Sequence, residues 1–164
     1  MRDLPPRFLL RKLLAAQVRR VRNYVYAVAG GRPADDVKAL VRGLLHGQEE
    51  VGTALKADDT LAPLLREHIS IATEVVAALA AGDRPAEDRA YGRWATNAGQ
   101  MAGALGGGAK LADCFRQYLR YVHDMAAAAH KKNWPEFAEQ YRRAFNHMIR
   151  VADMLAVNGK ESGT

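Results

Sequence analysis

Apolar residues recur along this chain with a helical period, and the same series occurs three times. Within each series the residues follow alternating steps of four and three, which places their side chains on one face of an α-helix, in a seam like that of a coiled coil. Shifts of 51 and then 50 residues superpose the three series. The seams consist of Leu10, Leu14, Gln17, Val21, Tyr24 and Val28, then Leu61, Leu65, His68, Ala72, Val75 and Leu79, then Leu111, Phe115, Tyr118, Val122, Met125 and Ala129.

Each seam helix is followed by a break and by a second apolar helical segment. The breaks are Gly31-Arg32-Pro33, Asp83-Arg84-Pro85 and Asn133-Trp134-Pro135. Glycine closes a helix in the left-handed conformation, Asp and Asn cap the next helix, and proline is tolerated in a first turn. Asp59 is the expected cap of the helix that starts near residue 60. We therefore predict three helical hairpins, over residues 7–56, 60–105 and 110–157.

The predicted fold is an all-α, up-and-down bundle of the four-helix type, built from these hairpins in a single domain over residues 7–157. Long helices at about 7–29, 60–82, 110–132 and 135–157 are expected as its main members, with shorter or bent segments at 34–56 and 86–105. A three-hairpin solenoid is the alternative. Three glycines weaken the helix at 34–56 by about 1 kcal/mol each, which predicts a break near His46-Gly47. Residues 1–6 and 158–164 are expected to be a flexible leader and a flexible tail.

Composition favours a soluble protein of a reducing compartment. Hydrophobic residues make up 49% of the 164 residues. No segment approaches the roughly 18 uncharged apolar residues of a membrane span. The single cysteine, Cys114, excludes an internal disulfide framework. We predict a cytoplasmic protein without a transmembrane segment.

The positive charge is concentrated at the start of the chain. Residues 1–32 hold eight basic side chains and one acidic side chain, for a net +7, whereas the whole chain has a formal charge of +6. This asymmetry is typical of contact with nucleic acid, an anionic lipid surface or an acidic partner, and also of a solvated helix face. No helix-turn-helix or other motif that recognises a nucleic-acid sequence is apparent. The predicted anion contacts are Arg11, Lys12, Arg19, Arg20 and Arg22.

Polar residues occupy one seam position in all three copies: Gln17, His68 and Tyr118. On the partner helices Asn97 and His147 are separated by 50 residues, and the first copy offers His46 or Gly47 at the matching place. These residues form either a hydrogen-bonded layer that sets helix register or the lining of a pocket for a metal or a small polar ligand. The Glu-x-x-His pair of carboxylate-rich metal bundles does not occur, so no catalytic residue and no cofactor is predicted.

The remaining candidates for chemistry favour structural roles. Cys114 flanks the seam beside Phe115 and is expected to be a buried structural thiol rather than a nucleophile. His123 and His130 are expected on the surface. Trp94 is interpreted as a packing anchor.

Two short segments carry a resemblance to a known family. The runs Leu64-Leu65-Arg66-Glu67-His68 and Trp94-Ala95-Thr96-Asn97-Ala98, with Asn146-His147-Met148 later in the chain, resemble an uncharacterised family of helical proteins found in spore-forming bacteria. The family pattern places further histidines where this chain has Gln17 and Tyr118. The resemblance implies a helical fold over roughly residues 12–157, and it implies no particular activity.

These observations predict a non-enzymatic helical bundle that serves as a structural or interaction module, with an unidentified protein partner or through self-association. The first alternative is a bundle that binds a metal or a small ligand in its buried polar layer. The second is non-specific binding of nucleic acid or an anionic surface through the basic first helix.

Overall fold

The computed structural model describes residues 6–161, with side chains up to residue 156. This part of the chain is all-helical and folds as the three predicted hairpins. The six helices of residues 6–161 are α1 (Arg7–Ala29), α2 (Ala34–Ala54), α3 (Leu61–Ala81), α4 (Arg84–Ala104), α5 (Gly108–His130) and α6 (Trp134–Glu161).

The second helices of the first two hairpins are full members of the bundle rather than the shorter or bent segments that were predicted. α2 and α4 each have 21 residues, as α3 does, so neither is a minor element. The break expected near His46-Gly47 is wrong, because α2 continues through both residues. Gly47 is buried, and tertiary packing of this kind commonly overrides low helix propensity.

The chain ends also differ from the prediction. α6 extends to Glu161, so residues 158–161 of the expected tail are helical. Residues 1–5 of the expected leader and residues 162–164 of the tail lie outside the described part of the chain.

The helix ends follow the turn chemistry of the sequence, with one correction. Asp83 Oδ1 accepts a hydrogen bond from the Ala86 backbone N–H at 3.1 Å, and Asn133 Oδ1 accepts one from Glu136 at 3.3 Å, so both predicted caps are confirmed. The cap of α3 is Asp58 rather than Asp59: its Oδ1 accepts from the N–H groups of residues 60 and 61. Asp58 and Asp59 are adjacent in the connection before α3, and the carboxylate of Asp58 is the one that reaches these N–H groups.

The six helices form a closed ring in which every second helix lies towards the centre. Each helix packs against the next one along the chain, and α6 packs back against α1. The first helices of the hairpins, α1, α3 and α5, also contact one another, so each second helix lies in the gap between two inner helices. All three seams are accordingly buried or half-buried, as predicted. The fold thus brings equivalent positions of the three repeats together in the centre.

Candidate ligand-binding cavity

A cavity of about 80 Å³ lies inside the bundle, where the three repeats meet. Most of its lining falls into sets of three residues that occupy equivalent positions in the repeats. These sets are Leu14, Leu65 and Phe115; Gln17, His68 and Tyr118; Val21, Ala72 and Val122; Val51, Met101 and Val151; and Leu55, Leu105 and Leu155. Since protein interiors contain few voids larger than a water molecule, this space is a distinct feature of the fold.

The polar seam residues Gln17, His68 and Tyr118 all line this cavity. Each is at least nine-tenths buried. The structure thus brings the polar seam positions of the three repeats to one cavity, while the role of this layer stays a prediction. Gln48 and Trp94 add further polar atoms to walls that are otherwise aliphatic or aromatic.

The Gln17 side chain has partners for all of its polar atoms. Its Nε2 donates to the Leu44 carbonyl and to Gln48 Oε1, both at 3.0 Å, and its Oε1 accepts from Arg20 at 3.2 Å. Gly47 makes this position possible, because a Cβ there would lie 2.1 Å from Gln17 Oε1. Gln17 is a satisfied member of the register layer.

The same contact settles which residue of α2 matches Asn97 and His147. Gly47 is buried and lies 50 residues before Asn97. The His46 side chain is 72% exposed and lies 3.9 Å from Glu50. At the position that matches Asn97 and His147, α2 therefore supplies space rather than a polar side chain, and Gln17 of α1 occupies that space.

His68 is held by Asn97 across the α3–α4 interface. His68 Nδ1 lies 2.8 Å from Asn97 Oδ1, and Asn97 Nδ2 donates to the Leu64 carbonyl at 3.0 Å. Because the Asn97 amide nitrogen is used by that carbonyl, its oxygen must accept, so His68 Nδ1 carries the hydrogen and Nε2 is an acceptor. Burial lowers the pKa of His68 to about 4, against a weaker opposite effect of the Asn97 hydrogen bond. The ring is neutral at pH 7.

Three polar atoms of the cavity residues lack hydrogen-bond partners within the described part of the chain. They are His68 Nε2, the Tyr118 hydroxyl and Trp94 Nε1, the last of which is fully buried. Burial raises the pKa of Tyr118, so its hydroxyl stays protonated and can both donate and accept. An unpaired buried polar group costs about 1–3 kcal/mol, which a bound molecule or water would offset.

His147 lies outside the cavity, although its sequence position matches that of Asn97. Its Nε2 is 2.7 Å from the Cys114 carbonyl, and its ring packs edge-on against Tyr121 with centroids 5.6 Å apart. Since a carbonyl only accepts, Nε2 carries the hydrogen. Burial lowers the pKa of His147, which favours this neutral form. Asn97 makes the equivalent bond, because its acceptor is the carbonyl of Leu64, which lies 50 residues before Cys114. The repeated feature is therefore a side-chain N–H bonded to an inner-helix carbonyl.

The metal-binding version of the predicted site has little geometric support. Among the described residues, no group of three or more His, Cys, Asp or Glu side chains is arranged to hold a metal ion. Cys114 is half-buried with its Sγ 3.7 Å from Met154 Sδ, which suits the expected structural thiol.

His123 is half-buried, and so it is less exposed than the predicted surface position implies. Its side chain is only 24% exposed, and its Nε2 lies 2.7 Å from Glu87 Oε1. Glu87 is itself buried. The two residues are 36 positions apart on α4 and α5, so no local spacing in the sequence indicates their contact. His130 is exposed, as predicted.

The basic residues of α1 are largely engaged within the bundle. Arg11 joins Arg7 in a bidentate ion pair with Asp153 of α6, with its Nε 2.7 Å from Asp153 Oδ1. The two guanidinium groups hold the pKa of Asp153 well below its usual range. Arg11 and its partners therefore fasten α1 to α6.

Arg20 and Arg22 are engaged as well. Arg20 lies 3.7 Å from Glu50 of α2, and Arg22 lies over the Tyr141 ring of α6, 4.7 Å from its centroid. Lys12 and Arg19 are exposed. An anion-binding surface on α1 stays a prediction, and the exposed cations Lys12 and Arg19 are its strongest candidates.

Sequence reasoning missed Gln48 and the unpaired indole of Trp94. Gln48 lies 50 and 100 residues before Ala98 and Met148, and a glutamine in an otherwise apolar row was the available signal. Trp94 is a packing anchor, as predicted, with 1% of its surface exposed. Its unpaired Nε1 is visible only once the neighbours of the ring are known.

Comparison of the chain with protein-family models, with curated proteins and with solved structures gave no match. The resemblance to the helical family of spore-forming bacteria stays a prediction. Within the described residues, no helix has both the length and the apolar character of a membrane span. Functional inference therefore rests on the cavity and its surroundings.

Proposed function

We propose that the chain is a non-catalytic binding module that holds a small, uncharged organic molecule in the central cavity. The observation that carries this proposal is the meeting of three repeats at a cavity where the fully buried Trp94 Nε1 has no partner among the described residues, and where His68 Nε2 and the Tyr118 hydroxyl make no hydrogen bond with them either. A layer that served only to set register would satisfy its own hydrogen bonds, as Gln17 and Asn97 do.

The walls argue for an uncharged ligand. Among the described residues that line the cavity there is no acidic side chain, lysine or arginine, and His68 is neutral at pH 7. An ion placed there would lose its hydration without gaining a counter-charge, which is strongly unfavourable. A hydroxyl group suits the site, because it can donate to His68 Nε2 and accept from an O–H or N–H group.

The volume sets the size of the ligand. A cavity of about 150 Å³ accommodates benzene in an engineered protein, so the 80 Å³ here favours a smaller molecule. A short alcohol such as 2-propanol has a suitable size and both hydrogen-bonding functions. Xenon is a smaller, purely apolar probe of the same space.

Two probes and two variants test the proposal. Binding of 2-propanol and of xenon would be measured by NMR titration of isotope-labelled protein. Tyr118→Phe keeps the cavity and removes its hydroxyl, so we expect 2-propanol to bind about tenfold more weakly, a change of about 1.4 kcal/mol for a lost hydrogen bond, with xenon binding unchanged. Ala72→Val narrows the cavity, so both probes should bind more weakly.

The results separate the proposal from its competitor. A folded protein that binds neither probe would show that the bundle is a scaffold without a ligand site. Equal loss of both probes in Tyr118→Phe would contradict the role of the hydroxyl. If the probes bind as expected, mass spectrometry of a solvent extract of the purified protein would identify a natural occupant.

A further inference from the structure

A second concavity, a groove of about 260 Å³ between α2 and α3, adjoins the central cavity. Gln48 and Leu65 line both spaces. We infer that this groove is the access route to the cavity and that Gln48 and Leu65 determine the size of the molecules that pass. The inference rests on the proposed binding function, and it adds the side of the bundle through which the ligand exchanges.

The two shared side chains differ in how firmly they are held. Gln48 is half-buried, and its Oε1 accepts the 3.0 Å hydrogen bond from Gln17, which ties it to the polar layer. Leu65 is buried and packs beside Gly52, which also lines the groove. A Cβ added to Gly52 would lie 3.3 Å from Leu65 Cδ1. No side chain at position 52 restrains Leu65, which is held by van der Waals contacts alone, whereas Gln48 is fixed by a hydrogen bond. Leu65 is thus the movable part of the barrier.

The helix that forms one wall of the groove, α2, is weakly packed on the side that faces α3. α2 packs less extensively against α3 than any other two helices that follow each other along the chain. The connection between them, residues 55–60, is the longest of the five within residues 6–161. α2 also contains Gly43, Gly47 and Gly52, which lower intrinsic helix stability. Local opening is expected where packing and helix propensity are both weak.

An exposed ion pair spans the outer rim of the groove. Arg66 of α3 and Glu49 of α2 face each other across the rim, with 4.0 Å between Nη2 and Oε1, and both side chains are more than 60% exposed. Ion pairs this exposed stabilise little. The Arg66–Glu49 pair therefore adds little to the barrier to exchange, which we place at Leu65 and Gln48.

Xenon exchange measured by saturation-transfer NMR tests the route. Leu65→Ala removes the barrier, whereas Leu14→Ala, at the equivalent position of the first repeat, enlarges the cavity without touching the groove. We expect xenon to exchange about tenfold faster in Leu65→Ala than in Leu14→Ala. If the alanine variants do not fold, the matched valine variants replace them, with a smaller difference in the same direction.

A second pair of variants tests the opposite direction. Gly52→Ala crowds Leu65 and should slow xenon exchange about threefold, in keeping with a small rise in the barrier. Gly43→Ala gives α2 the same gain in helix propensity but meets nothing within 4 Å, so it serves as the control.

The outcomes distinguish the access route from the binding function. Equal exchange rates in Leu65→Ala and Leu14→Ala, or equal slowing in both glycine variants, would overturn the route while leaving the ligand site intact. If xenon binds to none of these proteins, the proposed function fails first.

Discussion

The buried His68 should make the stability of this protein depend on pH in a way that one substitution removes. Burial lowers its pKa from 6.5 to about 4. Between these two values the unfolded chain binds a proton that the folded chain does not. Stability therefore falls as the pH drops from about 7 to about 4, and this histidine causes no further loss of stability below that pH. At about 1.4 kcal/mol for each pH unit, His68 accounts for up to about 3 kcal/mol of this loss.

The assay is urea unfolding followed by circular dichroism at a series of pH values from 7.5 to 4. His68→Gln can still donate an amide hydrogen to Asn97 Oδ1 but does not titrate, so its stability should decline less with acid than that of the wild type. His46→Gln is the matched control, because the His46 side chain is 72% exposed, and it should keep the wild-type dependence.

The difference between wild type and His68→Gln is the informative quantity. Carboxylates such as Asp153, whose pKa is lowered by Arg7 and Arg11, contribute equally to both proteins and cancel. His147, whose pKa is also lowered by burial, leaves a smaller residual slope in the variant. A difference in unfolding free energy that stays constant from pH 7 to pH 4.5 would refute the assignment of His68 as a desolvated, neutral ring.

Three further sets of substitutions have expected outcomes that unfolding experiments can check. Gly47→Ala displaces the Gln17 amide, and a double-mutant cycle with Gln17→Ala should give a coupling of at least about 1 kcal/mol; additive effects would contradict that contact. Ala72→Val should stabilise the protein by about 1 kcal/mol, because burial of two methyl groups exceeds the loss of helix propensity, whereas a destabilised variant would mean that the cavity is already filled. Gly82→Ala should destabilise by about 1 kcal/mol, since Gly82 has φ +69°, whereas Gly92→Ala within α4 should stabilise by a similar amount; equal signs would exclude the backbone explanation.

The periodic features of the sequence predicted the hairpins and the central polar layer. Equivalent seam positions in equivalent helices must meet when those helices pack together, so Gln17, His68 and Tyr118 could be placed near one another before any contact was known. The caps Asp83 and Asn133 were likewise local and predictable.

Contacts between distant parts of the chain were not predictable from spacing. α2 continues through Gly47, where the absence of a side chain leaves room for Gln17, and helix propensity alone does not contain this contact. Arg11 was assigned to an external anion because its partner, Asp153, lies 142 residues away. The cavity itself is a property of summed side-chain volumes around Ala72, and no single residue signals it.

The ring closure of α1 against α6 has a consequence for how the chain order can be rearranged. The ion pair of Arg7 with Asp153 places the start of α1 beside the later turns of α6, so the hairpins follow one another cyclically in space. Each hairpin has the same two neighbours whichever one is first along the backbone. A circular permutant opened at the Gly106-Gly107 turn, with a linker joining α6 to α1, would retain every interface between helices. The architecture fixes which hairpins are adjacent, and it leaves the starting point of the chain open.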